Sequence, residues 1–209
     1  MSQKDVGNKI PIYKLKTTDE VMKYYDDWGM ENKYDKDMEE WNYTGPKETS
    51  KIFEKYAKNK NINIYDAGCG TGLVGVELKK YGFSNFYGAD LSQKLLDLVP
   101  KELYKTLDKA DLNKPINKKD NSYDVVMCVG TFTFGHVKPH ALDEFIRITN
   151  NKGLICFTIN EGIHEEYGFD KKIEQLNKAN LWKEIEFFKS DYIASKDVNA
   201  WLGLYEVIK

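Results

Sequence analysis

The chain has 209 residues, 31 Lys and Arg against 33 Asp and Glu, and a formal net charge of −2, which suits one domain able to bury a core without disulfides. With Arg147 as the only arginine and no basic block, a nucleic-acid substrate is disfavoured, because arginine is the preferred reader of phosphates and guanines. The three cysteines cannot pair completely, no run of 18 apolar residues occurs and no apolar signal core opens the chain, so a soluble, reduced, cytoplasmic protein without a membrane partner is expected.

Residues 1–17 are polar and lack periodicity, which reads as a flexible tail, and 18–209 as a single domain. Thr18-Asp19-Glu20 offers a helix start with acids in the first turn and opens a helical segment, 18–46. Its aromatics, Tyr24, Tyr25, Trp28, Tyr34, Trp41 and Tyr43, alternate with acids. They suit either an amphipathic helix pair packed on a sheet or a lid whose ring faces cover a cation. Gly45-Pro46 is expected to end this segment, and Glu48 to Lys58 to form the helix that leads into strand one.

Ile62 to Gly75, INIYDAGCGTGLVG, reads as a buried strand, a turn holding Gly68, Gly70 and Gly72, and the start of a helix. Glycine there lets the backbone approach a ligand and reach positive φ cheaply, and the helix N-terminus points free N–H groups at whatever lies on the turn. Two ligand classes use such a turn. Gly70, Gly72 and Gly75 match the dinucleotide spacing G-x-G-x-x-G, with Asp90 about 20 residues on. However, Asp66 at the strand's end would repel a pyrophosphate and favours a ligand carrying an ammonium group.

Asn85 to Ala89 reads as strand two, ending at Asp90; Ser92 caps a helix over Gln93 to Leu98, which Pro100 stops. Tyr104 to Leu107 is a weak strand three, followed by Asp111 and Leu112. Tyr123 to Val129 is a near-continuous apolar run, as a central parallel strand should be. The loop after it, Gly130 to His136, opens on the ligand edge of such a sheet. Pro139 to Ile148 reads as a helix, LICFTIN as strand five, Glu165 to Ala179 as a helix, and Trp182 to Tyr192 and Trp201 to Ile208 as closing strands.

DAGCGTG followed by GADLS resembles motif I and the acidic strand-two end of class I S-adenosylmethionine-dependent methyltransferases. YYDDWGMENKYDKD and GTFTFGHVKPHALDEFIRIT extend the likeness to the methyltransferase-like family named for the Williams-Beuren syndrome region. The resemblance implies a Rossmann-like α/β fold: a seven-stranded, mostly parallel sheet with an antiparallel last strand, helices on both faces and an N-terminal helical lid. It implies S-adenosylmethionine as cofactor. Asp66 would help hold its amino group, while Ala67, Gly68, Gly70, Thr71 and Gly72 face the methionine moiety. Asp90, with Leu91 and Ser92 beside it, would take the ribose hydroxyls, and Asp111 and Leu112 the adenine. Val129 and Gly130 close the floor, and Tyr25, Trp28 and Tyr34 the lid.

Methyl transfer needs a base only if the nucleophile is protonated. His136 is the candidate, being titratable near neutrality on the loop that faces the donor; helix capping or packing is its alternative role. His136 and His140 stand four apart, but Pro139 lies between them and no acid accompanies them, so no metal site is expected. His164 with Glu165 and Glu166 suits a substrate mouth or a solvated helix start. No Asn- or Asp-Pro-Pro-aromatic motif follows strand four, so the likeness does not extend to enzymes acting on exocyclic base amines. The expected partner is a small-molecule methyl acceptor through N, O or S, and the chain is expected to act as a monomer. A non-catalytic S-adenosylmethionine binder and an NAD(P)-dependent oxidoreductase are the alternatives.

Overall fold

A computed structural model of the chain describes residues 10–15, 17–30 and 33–209. Its centre is a seven-stranded sheet in the order β3-β2-β1-β4-β5-β7-β6. The strands are β1 (Ile64–Ala67), β2 (Phe86–Asp90), β3 (Thr106–Lys109), β4 (Tyr123–Phe132), β5 (Thr149–Asn160), β6 (Trp182–Ile193) and β7 (Val198–Val207). β1 to β5 pair in parallel, whereas β7 runs antiparallel between β5 and β6. This is the Rossmann-like fold that the sequence implies.

The apolar run of β4 sits at the sheet centre because both of its faces are covered. Val125 and Met127 join a cluster on one face, with Ile64 of β1, while Val126 and Cys128 join a cluster on the other, with Tyr65. That alternation is the two-residue period of a strand. Against the first face pack Phe53 of α3 (Gly45–Tyr56), Leu78 of α4 (Leu73–Lys80) and Leu96 of α5 (Gln93–Leu98). The second face receives Val21 of α1 (Thr18–Trp28), Met38 of α2 (Lys33–Glu40), Phe145 of α6 (Ala141–Ile148) and Leu176 of α7 (Phe169–Lys178). The outer strand β6 carries Lys183, Glu184, Glu186 and Lys189, charges of the kind that discourage edge-to-edge pairing.

Two expectations at the N-terminus change. Residues 1–9 and 16 of the expected tail lie outside the described residues, but 10–15 include a 3-10 turn, Pro11–Lys14, with Ile10, Ile12 and Tyr13 buried. Tyr13 meets Phe134 with ring centroids 5.7 Å apart. Gly45-Pro46 does not end the helical segment but opens α3, since a proline in the first turn lacks only an N–H that would be unpaired anyway. α1 begins with a capping box: Thr17 Oγ1 accepts from the Glu20 N–H, and the Glu20 carboxylate accepts from the Thr17 N–H. Among the described residues, no helix is long and apolar enough to cross a membrane.

Candidate active site

The strand order reverses between β1 and β4, and the crevice outside the carboxyl ends of the strands at such a point is where open α/β sheets bind ligands. A cleft of about 690 Å³, open solvent at its mouth included, lies there. Its floor is the turn between β1 and α4. Gly68 has φ 80°, and a Cβ on it would stand 2.1 Å from Thr131 Oγ1. Gly70 has φ 53°, and a Cβ there would meet nothing within 4 Å. The first glycine is required by packing, and the second leaves the backbone open to the cleft.

Asp90, at the end of β2, fastens this floor. Its Oδ2 accepts the Gly70 N–H at 2.9 Å and its Oδ1 the Ser92 N–H at 2.8 Å. Burial pushes the Asp90 carboxyl pKa up, and those two N–H groups oppose the shift. Both oxygens keep lone pairs, so the carboxylate on the cleft wall can still accept from a ligand's hydroxyls. Further along the wall stand Leu91, Asp111 and Leu112, and across from them Val129, Gly130 and His136. From above, α1 and α2 contribute Tyr25 and Tyr34.

Other expected residues lie off the cleft wall. Asp66 is buried beneath the turn, with Oδ2 accepting the Tyr104 hydroxyl at 2.5 Å and Oδ1 without a hydrogen-bond partner among the described residues. Burial pushes its pKa up to about 7, against the Tyr104 bond that lowers it. Asp66 is not part of the cleft lining. Ala67 is likewise interior. Thr71 Oγ1 donates to Asp35 of α2 at 2.6 Å. Gly72, with φ 91°, N-caps α4, and a Cβ on it would meet Tyr104 at 3.2 Å. Ser92 Oγ accepts the Leu95 N–H and caps α5. Trp28 lines a different space, described below.

Gly75 is explained by Tyr104 rather than by a dinucleotide. A Cβ at Gly75 would stand 2.6 Å from the Tyr104 hydroxyl oxygen, so the third glycine of the G-x-G-x-x-G spacing makes room for the Tyr104–Asp66 pair.

His136 faces the cleft, but both ring nitrogens are engaged: Nδ1 lies 2.6 Å from the Phe134 carbonyl and Nε2 3.0 Å from the Tyr25 hydroxyl. A carbonyl only accepts, so Nδ1 carries the proton, Nε2 accepts and Tyr25 donates. Burial pushes the imidazole down to about 4. His140 turns elsewhere, its Nε2 meeting the Asn113 carbonyl at 3.1 Å. His164 stacks near Trp201, 5.0 Å between ring centroids, away from the cleft.

The sequence reading missed Val21, Met22, Leu95, Asn113, Thr131 and Val137 on the cleft wall. Thr131 carried a signal, standing within the loop expected to face the ligand. Val21 and Met22 did not, since an apolar helical residue reads equally as core. A second, narrower space, about 340 Å³ with open solvent included, adjoins the cleft and shares Tyr25, Tyr34 and Gly130 with it. Trp28, Trp41, Tyr43 and Tyr192 form much of its wall.

Residues 65–157, which hold β1 to β5 and most of this cleft, match the family model described as a methyltransferase domain. The chain is an S-adenosylmethionine-dependent methyltransferase with a Rossmann-like fold. Methyltransferase-like protein 27 of Homo sapiens is 26% identical over 186 residues, covering 86% of this chain and 74% of that protein. Among solved structures, the complex between the Haloferax volcanii Trm112 methyltransferase activator and the putative methyltransferase aligns with a TM-score of 0.64 at 17% identity, over 88% of this chain and 98% of that one. A TehB-like S-adenosylmethionine-dependent methyltransferase from Corynebacterium glutamicum aligns at 0.58 and 18% identity, over 76% and 86%. S-adenosylmethionine is the cofactor, and the cleft fits it: open backbone at Gly70, carboxylates at Asp90 and Asp111, and apolar Leu91 and Leu112.

Proposed function

We propose that this methyltransferase acts on a small molecule. The observation that carries this reading is the junction of the cofactor cleft with a second, ring-walled space beneath α1 and α2, at Tyr25, Tyr34 and Gly130. Bound S-adenosylmethionine supplies an electrophilic methyl group on a sulfonium. Asp90 is assigned the ribose hydroxyls, Asp111 and Leu112 the adenine edge, and Gly68 and Gly70 the approach of the methionine moiety. Tyr25 and Tyr34 present rings to the cleft and would favour a bound sulfonium, since aromatic faces attract cations. Asp66 is assigned to bracing the turn through Tyr104.

His136 is assigned a positioning role. It holds the Tyr25 hydroxyl, and its depressed basicity suits an acceptor of a hydrogen bond better than a remover of protons. The human relative supports grouping the chain with the Williams-Beuren-named family. The free, buried cysteines Cys69, Cys128 and Cys156 support a reducing, cytoplasmic setting, and we infer a monomer.

Calorimetric titration with S-adenosylmethionine, S-adenosylhomocysteine and NAD in parallel tests the cofactor half: both sulfur ligands bind and NAD does not. Release of S-adenosylhomocysteine is then followed with amine, thiol and phenol acceptors beside RNA and protein. Turnover confined to RNA or protein would overturn the small-molecule reading.

A further inference from the structure

The chemistry of the second space narrows the acceptor class, an inference that rests on reading the adjoining cleft as the methyl-donor site. Trp28 packs at its heart, with ring centroids 5.0 Å from Tyr34, 5.5 Å from Trp41 and 5.9 Å from Tyr25. Tyr43 and Tyr192 meet edge to face at 5.1 Å on another side. Among the described residues, the lining holds no Asp, Glu, Lys or Arg. Thr133, 1% exposed, also lies in the lining, with its hydroxyl beside that of Tyr13.

Three consequences follow. An acceptor that attacks as an anion, such as a thiolate, phenolate or carboxylate, would be buried among rings with no cation in the lining, since the Lys196 ammonium, 5.1 Å from the Trp41 ring centroid, is not part of it. An acceptor that must first lose a proton finds no free base, since the His136 nitrogens are taken by Tyr25 and Phe134. By contrast, an acceptor that becomes a cation is favoured by the ring faces, and favoured more as charge develops, which is what lowers a barrier. We propose that the aromatic chamber is the acceptor subsite and that it takes a small, uncharged nitrogen base of aromatic character. The nitrogen lone pair forms the new N–C bond, the C–S bond breaks with its electron pair on sulfur, and the positive charge passes from sulfur to nitrogen. No proton has to leave.

Four probes of one bicyclic shape separate the possibilities on the full chain: isoquinoline, 2-naphthol, 2-naphthalenethiol and 2-naphthoic acid. Each is titrated calorimetrically in the presence of saturating S-adenosylhomocysteine and assayed for turnover with S-adenosylmethionine. Isoquinoline and the N-methylisoquinolinium cation should bind at least tenfold tighter than 2-naphthoate, and isoquinoline should be methylated. Trp41→Leu should weaken both nitrogen ligands about tenfold with S-adenosylmethionine affinity unchanged, and Trp41→Phe should restore most of the loss. Preference for the naphthol, thiol or acid, or unchanged isoquinoline affinity in Trp41→Leu, overturns the inference while cofactor binding stands. Failure of S-adenosylmethionine itself to bind overturns the donor reading and this inference with it.

Discussion

Beneath the glycine turn, Tyr104 donates its hydroxyl to Asp66 Oδ2 at 2.5 Å, and Gly75 leaves the room this ring needs. The pair decides how the turn responds to pH. Burial lifts the Asp66 pKa from 3.8 to about 7 in the folded chain. A raised folded value means stability that is fully present below pH 3.8 and lost as pH rises to about 7. In Asp66→Asn the amide oxygen still accepts from Tyr104, but no charge is forced into the interior. Urea denaturation at pH 5 and pH 8 should therefore show the variant gaining on the native chain as pH rises, by up to about 2.5 kcal/mol. Parallel stabilities at the two pH values would show that Asp66 stays ionised in both states.

Asp90 should govern cofactor affinity directly. Asp90→Ala removes a carboxylate on the cleft wall and frees the N–H groups of Gly70 and Ser92. A hydrogen bond to a charged group contributes about 1.5 to 3 kcal/mol, so S-adenosylmethionine affinity should fall roughly 10- to 100-fold by calorimetry. Asp66→Asn, acting from below the turn, should change it far less. Equal losses in the two variants would return Asp66 to the ligand.

The Tyr25–His136 contact gives a pH effect of the opposite sense. The imidazole is held down from 6.5 to about 4 in the folded chain. A depressed folded value means stability present above the unfolded pKa of about 6.5 and lost as pH falls toward 4. His136→Gln, which does not titrate, should remove roughly 2 to 3 kcal/mol of that acid sensitivity in denaturant unfolding at pH 7 and pH 4.5. If His136 were the base, activity would climb through its pKa on raising the pH. With that pKa at about 4 the climb would fall near pH 4, so the discriminating measurement is His136→Gln at pH 7, whose turnover should stay within about tenfold of the native chain rather than drop by the roughly 100-fold or more of a lost base.

Much of this arrangement is legible in the sequence where the signal is local. The run YDVVMCV announces a strand covered on both faces, and the glycines with Asp90 announce a ligand turn with its wall. What escapes depends on partners distant in sequence. Nothing near Asp66 indicates that Tyr104, 38 residues on, occupies its oxygen. Gly75 reads as a dinucleotide glycine until the Tyr104 ring is seen against it. Ile10, Ile12 and Tyr13 fall in a run, Ile10-Pro11-Ile12-Tyr13, too short to show a period; they pack in the cluster that holds the lid aromatics. Gly130 shows the same limit: it has φ 87°, and a Cβ on it would stand 2.6 Å from the Tyr43 hydroxyl oxygen.

The lid is tied to the turn by one bond that can be cut without touching the cleft wall. Thr71, 3% exposed, donates Oγ1 to Asp35 Oδ1 at 2.6 Å, joining the glycine turn to α2. Thr71→Val keeps the side-chain shape and removes the donor, leaving a half-buried carboxylate without this partner. Losing such a bond costs about 1 to 3 kcal/mol, borne by the contact between lid and turn rather than by the core. Because α2 carries Tyr34 and packs Trp41 against Trp28, loosening it should open both the cofactor cleft and the chamber beside it. Hydrogen exchange of residues 18–44 in the ligand-free variant should accelerate 5-fold or more, while the sheet exchanges as before and S-adenosylmethionine dissociates faster. Native exchange rates across 18–44 would mean that the aromatic packing alone holds the lid, and that Asp35 merely satisfies the threonine.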